Sequence, residues 1–154
     1  MNAIGIDSDV ILLAFAFHRD QRQEVNNRFL FEVAPLQPRI SIYSIMEILG
    51  QLSFNLPPSL LLRWESWLTV RFNLVVVYPG VANLGAAKFL QTELIEQPLG
   101  RMQKKMPYLD SLIINLIESA PAVDHFVSWN ARHFVGRTDL TVLTPADYLA
   151  KAQV

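Results

Sequence analysis

The chain contains no cysteine, which removes disulfides, cysteine-ligated zinc and thiol catalysis and fits a reducing cytoplasm. Charge is scarce as well: 18% of the 154 residues are Asp, Glu, Lys or Arg, and the formal net charge is −1. A chain so close to neutrality has no global basic footprint for nucleic acid, so any such site has to be a local patch. Long apolar runs are also missing. The longest, Val10–Phe17, falls far short of the ~20 residues a bilayer-spanning helix needs. Asp7 and Asp9 interrupt the N-terminal region and no basic residue precedes them, which argues against a signal peptide. No internal repeat, low-complexity tract or linker divides the sequence. The expectation is a cytoplasmic protein without a membrane segment, folded as a single domain over residues 1–154.

What is abundant is apolar side chain, at 51% of residues. That supplies an ample core and leaves surface of the kind that often marks an oligomer or partner interface, so a homodimer is expected. A first strand ends at Ile6, and a buried helix follows over Val10–Phe17, capped by Ser8 or Asp9. An amphipathic helix spans Asp20–Val33, then a strand Arg39–Ile42. Ser44 and Glu47 have capping-box spacing, which predicts a helix from Ser44 to about Asn55. A helix Ser59–Phe72 precedes the β-branched strand Asn73–Tyr78, whose uninterrupted apolar pattern predicts cover on both faces. Beyond it come a helix Val81–Glu96, a proline-bounded basic loop Gln97–Pro107 and a helix Leu109–Ala120. The chain closes with a strand His125–Trp129, a turn near Asn130–Phe134, a strand Leu140–Leu143 and a helix from Pro145. Strands separated by helices give an α/β class: a three-layer α/β/α arrangement around a central, mostly parallel sheet of four to five strands.

In such folds ligands bind beyond the carboxyl ends of the strands. Asp7 closes the first strand, Glu47 falls in the first helical turn after the second, and Asp110 opens a helix whose Ile113, Ile114 and Ile117 form a buried stripe. Ser128, Trp129 and Asn130 bring a hydroxyl and an amide to the same rim. Asp7, Glu47 and Asp110 together make an oxygen donor set suited to Mg²⁺ or Mn²⁺. Each acid also has a purely structural alternative. Asp7 can cap the following helix, Glu47 can complete the box with Ser44, and Asp110 can complement a helix dipole.

Five segments in order resemble the PIN domain, a nuclease fold that includes the VapC-type toxins of bacterial toxin–antitoxin pairs. Ile6-Asp7-Ser8-Asp9-Val10-Ile11-Leu12 is similar to its opening motif, and Ser41 to Leu49 to the second, whose glutamate is a metal ligand. Leu109-Asp110-Ser111-Leu112-Ile113-Ile114 is similar to the third, and His125 to Phe134 to the fourth. Leu143-Thr144-Pro145-Ala146-Asp147-Tyr148-Leu149 is similar to the closing segment. Two departures stand out. Asn130 occupies a position where many members carry a fourth acid; its amide can orient water but adds no charge. Asp124 precedes the expected strand, more than ~13 Å from Asn130, and so is not a substitute. Asp9 stands where Asn or Ser is common, and either restores charge or caps the helix.

The resemblance implies a metal-dependent ribonuclease with Asp7, Glu47 and Asp110 as ligands to Mg²⁺ or Mn²⁺, Asn130 in the catalytic group, and Ser8 and Ser128 positioning water or phosphate. It also implies a dimer restrained by an antitoxin whose tail enters the acidic site. Arg101, Lys104, Lys105 and Arg132, with His133 beside them, would supply sequence-blind phosphate contacts at the rim. Trp64 and Trp67 fit a core or dimer face. A different class of function is a catalytically weak module that binds RNA or a protein. A third, a phosphatase using an Asp-x-Asp pair at Asp7 and Asp9, lacks the expected lysine and paired acids.

Overall fold

Strand β1 (Ala3–Ile6) is buried along its whole length because it lies at the centre of a sheet rather than at its edge. The computed structural model of the chain describes residues 3–16, 19–80 and 84–152. Among these, β2 (Arg39–Ser41), β3 (Val75–Val77), β4 (Val123–Val127) and β5 (Thr141–Leu143) join β1 in one sheet of spatial order β3-β2-β1-β4-β5. Every pairing is parallel, with Ile6 opposite Ile40 on one side and Val127 on the other. The fold is therefore α/β, a five-stranded parallel sheet between helical layers.

The period-two alternation of strands decides how the two faces fill. Ile4, Ile6, Ile40 and Val127 point to one face, where they pack with Val10 and Ile11 of α1 (Ser8–Ala16), Phe29 and Val33 of α2 (Gln23–Val33), and Ile45 and Ile48 of α3 (Ile42–Leu52). Phe126 points to the other face. It packs there with Phe134 and with Ile113, Ile114 and Ile117 of a long helix, Tyr108–Ser119. Gly5 shares that second face, and a Cβ at Gly5 would stand 2.5 Å from Ile117 Cγ2 and 3.1 Å from Phe126 Cδ2. The long helix therefore lies almost on the β1 backbone. Gly5→Ala is expected to lower unfolding free energy by about 1–3 kcal/mol, the usual cost of overpacking; an unchanged denaturant midpoint would mean the helix is not seated there.

Between β2 and β4 the chain departs from several expectations. Helix α3 starts at Ile42, and its N-cap is Ser41, whose hydroxyl accepts the Tyr43 N–H at 3.0 Å. The Ser44–Glu47 capping box does not form, because β2 turns directly into α3 and leaves Ser44 buried inside the helix. The stretch 59–72 is not one helix: α4 (Pro58–Leu61), a π-helical run Glu65–Thr69 and α5 (Val70–Phe72) succeed one another. Asn73, in the left-handed region at φ 53°, ends the series. Strand β3 is an edge strand and only half-buried, with partial cover on both faces: Val76 packs against the cluster on one side of the sheet and Val77 against that on the other.

Val81–Asn83, like Phe17 and His18, lie outside the described residues. The rest of the expected helix is α6 (Ala86–Phe89) followed by a π-helical Leu90–Glu96. Gln97–Pro107 is not simply a loop, since α7 (Gln97–Met102) occupies its first half. Pro98 falls where the π-helical run passes into α7, and Leu94 O, four residues before it, accepts the Tyr108 hydroxyl at 2.8 Å. Helix α8 (Tyr108–Ser119), the long helix on Gly5, and α9 (Pro145–Lys151) fall where the sequence predicts them. Strand β4 begins two residues early, with Asp124 and His125 in its half-buried first part, their side chains 2.6 Å apart. Ser128, Trp129 and Asn130 consequently lie just past its end. No helix of the described residues is long and apolar enough to cross a membrane.

Candidate active site

The sheet grows from β1 to β2 to β3, and β4 and β5 are then added on β1's other flank. Reversal of that kind opens a crevice beyond the carboxyl ends of the strands where the direction changes, here β1 and β4. A cavity of about 340 Å³ lies there, its wall including Asp7, Ser8, Asp9, Glu47, Asp110, Asn130 and His133. Parallel βα connections bring the starts of α1, α3 and α8 to this edge, and each carries an acid within its first turns.

Asp7 is the fixed point. Its N–H donates to Val127 O at 3.0 Å, extending the β1–β4 ladder by one residue. Its carboxylate accepts the Ser8 N–H at 2.8 Å on Oδ1 and the Ser128 hydroxyl at 2.8 Å on Oδ2. Two serines then tie the acids to one another. Ser8 Oγ lies 2.5 Å from Glu47 Oε2 and 3.4 Å from Asp7 Oδ1. Ser128 Oγ lies 2.8 Å from Asp7 Oδ2 and 3.0 Å from Asp9 Oδ2, while accepting the Asn130 N–H at 2.9 Å. A hydroxyl has one hydrogen to give. With Asp7 and Asp9 both ionised, Ser128 cannot fully serve the two of them.

Asp9 does not cap its own helix. Its Oδ2 reaches across to the loop after β4, accepting the Asn130 N–H at 3.0 Å, and its Oδ1 is buried with no hydrogen-bond partner. Asp110, in the first turn of α8, does not cap either; its Oδ2 lies 3.0 Å from His133 Nδ1.

Burial pushes the Asp7 carboxyl well above its usual range; the Asp9 charge adds to that, outweighing the Ser128 and Ser8 hydrogen bonds. Asp9 is raised chiefly by burial, against hydrogen bonds from the Trp129–Asn130 backbone and Ser128. Asp110 is raised by burial, partly offset by His133. Arg22 also lines the cavity, but its guanidinium grips Asp20 at 2.6 and 2.9 Å and drives that carboxyl down to about 2. The acids are thus under-compensated by the chain's own cations.

Whether they suit a divalent ion can be judged from the donors. All are hard carboxylate oxygens, one is orphaned at Asp9 Oδ1, and burial penalises the charge on Asp7, Asp9 and Asp110; a cation meets each of these conditions. In chemistry the set fits. In arrangement, among the described residues, no group of three or more acids or histidines stands ready to hold a metal ion. Glu47 is bonded to Ser8 and Asp110 to His133.

The cavity brings together Asp7, Ser8, Glu47, Asp110 and Asn130, with Ser128 behind the two aspartates. Lys105 and Arg132 line neither this cavity nor the second, larger cleft. Arg101 and Lys104 line that second cleft, away from the acids, because the basic segment is wound into α7 and held on α8. Asn26 was not legible as a site residue. Fully buried, it donates to Val10 O at 2.8 Å and accepts the Trp129 Nε1–H at 2.8 Å, pinning α1, α2 and the post-β4 loop together. Only its place on the apolar face of α2 could have flagged it. No family model matches the chain, and no curated protein matches it.

Proposed function

We propose that this chain is a divalent-metal-dependent ribonuclease of PIN type. The observation that carries the reading is the convergence of Asp7, Asp9, Glu47 and Asp110 on one cavity at the switch point of the sheet. One buried and three half-buried acids on a single cavity, without matching cations, favour a functional role over a stabilising one. The ordered motifs from Ile6 to Leu149 support the family reading.

Asp7, Glu47 and Asp110 would hold Mg²⁺ or Mn²⁺. When bound, such a cation neutralises the acids, admits an anionic phosphodiester and activates water for in-line attack on phosphorus, leaving 5′-phosphate and 3′-hydroxyl ends. The chain's part is orientation. Ser128 and the Ser8 N–H fix the Asp7 carboxylate, the Ser8 hydroxyl aims Glu47, and His133 holds Asp110. Asn130 presents its amide at the cavity while its N–H anchors Asp9, which supplies charge that the missing fourth acid does not. Exposed Phe31, Phe54, Leu62 and Val70 offer apolar surface for a second copy or for an antitoxin in a toxin–antitoxin pair.

The test is cleavage of a labelled single-stranded RNA with Mg²⁺ or Mn²⁺, with and without EDTA. Cutting that requires metal and stops with chelator is expected. A second reading, a non-cutting binding module, draws on the engagement of Glu47 and Asp110 by Ser8 and His133. RNA that stays intact with either metal while still binding the protein selects it.

A further inference from the structure

On the opposite side of α8 from Asp110, a cleft of about 500 Å³ is bordered by Arg101, Lys104, Asn115, Arg137 and Thr138. Its charged lining is Arg101, Lys104 and Arg137 against one acid, Asp139, the opposite sign of excess from the acidic cavity. Arg101 is spent on structure: Nε donates to Asn115 Oδ1 at 2.8 Å, and its other nitrogens bind Glu118 and Arg137 O. Glu118 in turn accepts the Asp139 N–H at 2.9 Å and the Thr138 hydroxyl, so its charge is answered locally. Lys104 and Arg137 are left over. Among the described residues neither forms an ion pair, and Arg137 gives one N–H to His133 O at 2.8 Å. Asn115 adds a third unspent donor. Because its oxygen must face Arg101 Nε, its orientation is fixed by that bond, and Nδ2 is buried without an acceptor. Gly100 and Gly136 leave the cleft wall open, with nothing within 4 Å of where a Cβ would stand at either.

We infer that this cleft is a second site, which takes a phosphate group on Arg137 and Lys104, with the unpaired Asn115 Nδ2 buried in the wall beneath it. An anion with several acceptor oxygens pairs with both cations at once, as no neutral ligand would. The loop after β4 links the two cavities: Asn130 and His133 border the acidic one, and Gly136 to Asp139 border this one. An RNA strand lying along that loop places one phosphate at the acids and another here. That source of phosphate rests on the ribonuclease reading; the phosphate chemistry does not.

The test is anisotropy of a 5′-labelled single-stranded RNA in EDTA, where cleavage plays no part, alongside thermal shift with inorganic phosphate. Asn115→Asp keeps the acceptor for Arg101 but replaces the buried donor with negative charge. It is expected to weaken RNA binding about tenfold or more while leaving the melting temperature in phosphate-free buffer no lower. Lys104→Ala, at an exposed position, should reduce the salt slope of RNA affinity by about 0.7. If Asn115→Asp abolishes stabilisation by inorganic phosphate but spares RNA affinity, the site stands with free phosphate as its ligand. Both variants binding RNA and phosphate as the wild type does would overturn it, whatever the outcome of the cleavage assay.

Discussion

Asp110→Asn is expected to leave the chain folded and to cut the proposed metal-dependent cleavage of single-stranded RNA by on the order of 100-fold or more. The substitution preserves volume and one oxygen, so the contact with His133, 3.0 Å from Oδ2 in the wild type, has an acceptor to replace it. What it removes is a negative charge in a half-buried position at the head of α8, where no capping bond depends on that side chain. A stability role therefore predicts little change in activity, and a ligand role predicts a large one. Raising Mn²⁺ should recover part of the rate, because a weakened ligand set is compensated by mass action. Wild-type cleavage rates in Asp110→Asn, measured on the same RNA, would remove Asp110 from the site.

Asp7→Asn is expected to do two opposite things: end cleavage and make the metal-free protein more stable by about 1–3 kcal/mol at neutral pH. Asp7 is 6% exposed, close to Asp9, and its folded-state pKa lies well above the ordinary 3.8. The folded chain therefore holds that proton more tightly than the unfolded chain does. Its contribution to stability is greatest below the unfolded value and is lost as pH climbs through the folded one. Asp9 and Asp110, also raised, act in the same sense, whereas Asp20 and Glu118, both lowered, act in the opposite one. The clean measurement is the difference between Asp7→Asn and wild type across a pH series in EDTA. That gap should be small near pH 4 and widen as pH rises. Mg²⁺ or Mn²⁺ should stabilise the wild type and narrow it. A gap that is constant with pH, or an Asn variant less stable than wild type at pH 7, would contradict this account of Asp7.

The sheet and its order of elements were legible because their signals are local: a β-branched run at 75–77, a short Thr-Val-Leu run at 141–143, an apolar stripe at Ile113, Ile114 and Ile117, and a proline opening α9. Glu47 shows where local signals mislead. Its spacing from Ser44 is that of a capping box, yet the cap is Ser41, because the sheet ends there and fixes where α3 must begin. The basic segment misled in another way. Its prolines read as loop, but Pro98 falls where one helical run passes into the next, and the three-way anchoring of Arg101 carries the charge to a different face. Asn26 and the Arg22–Asp20 pair are contributed by a helix hairpin whose closure no residue spacing announces.

The bond from the Asp7 N–H to Val127 O has a mechanical consequence. Asp7 rides on the innermost strand, the part of such a fold that opens only with global unfolding, and its amide should be among the slowest to exchange with solvent. Glu47 and Asp110 are half-buried side chains carried by helices packed against the sheet rather than by the sheet itself. If the acids hold an ion as proposed, Asp7 would be the ligand whose position the backbone fixes, and Glu47 and Asp110 would give up Ser8 and His133 to join it.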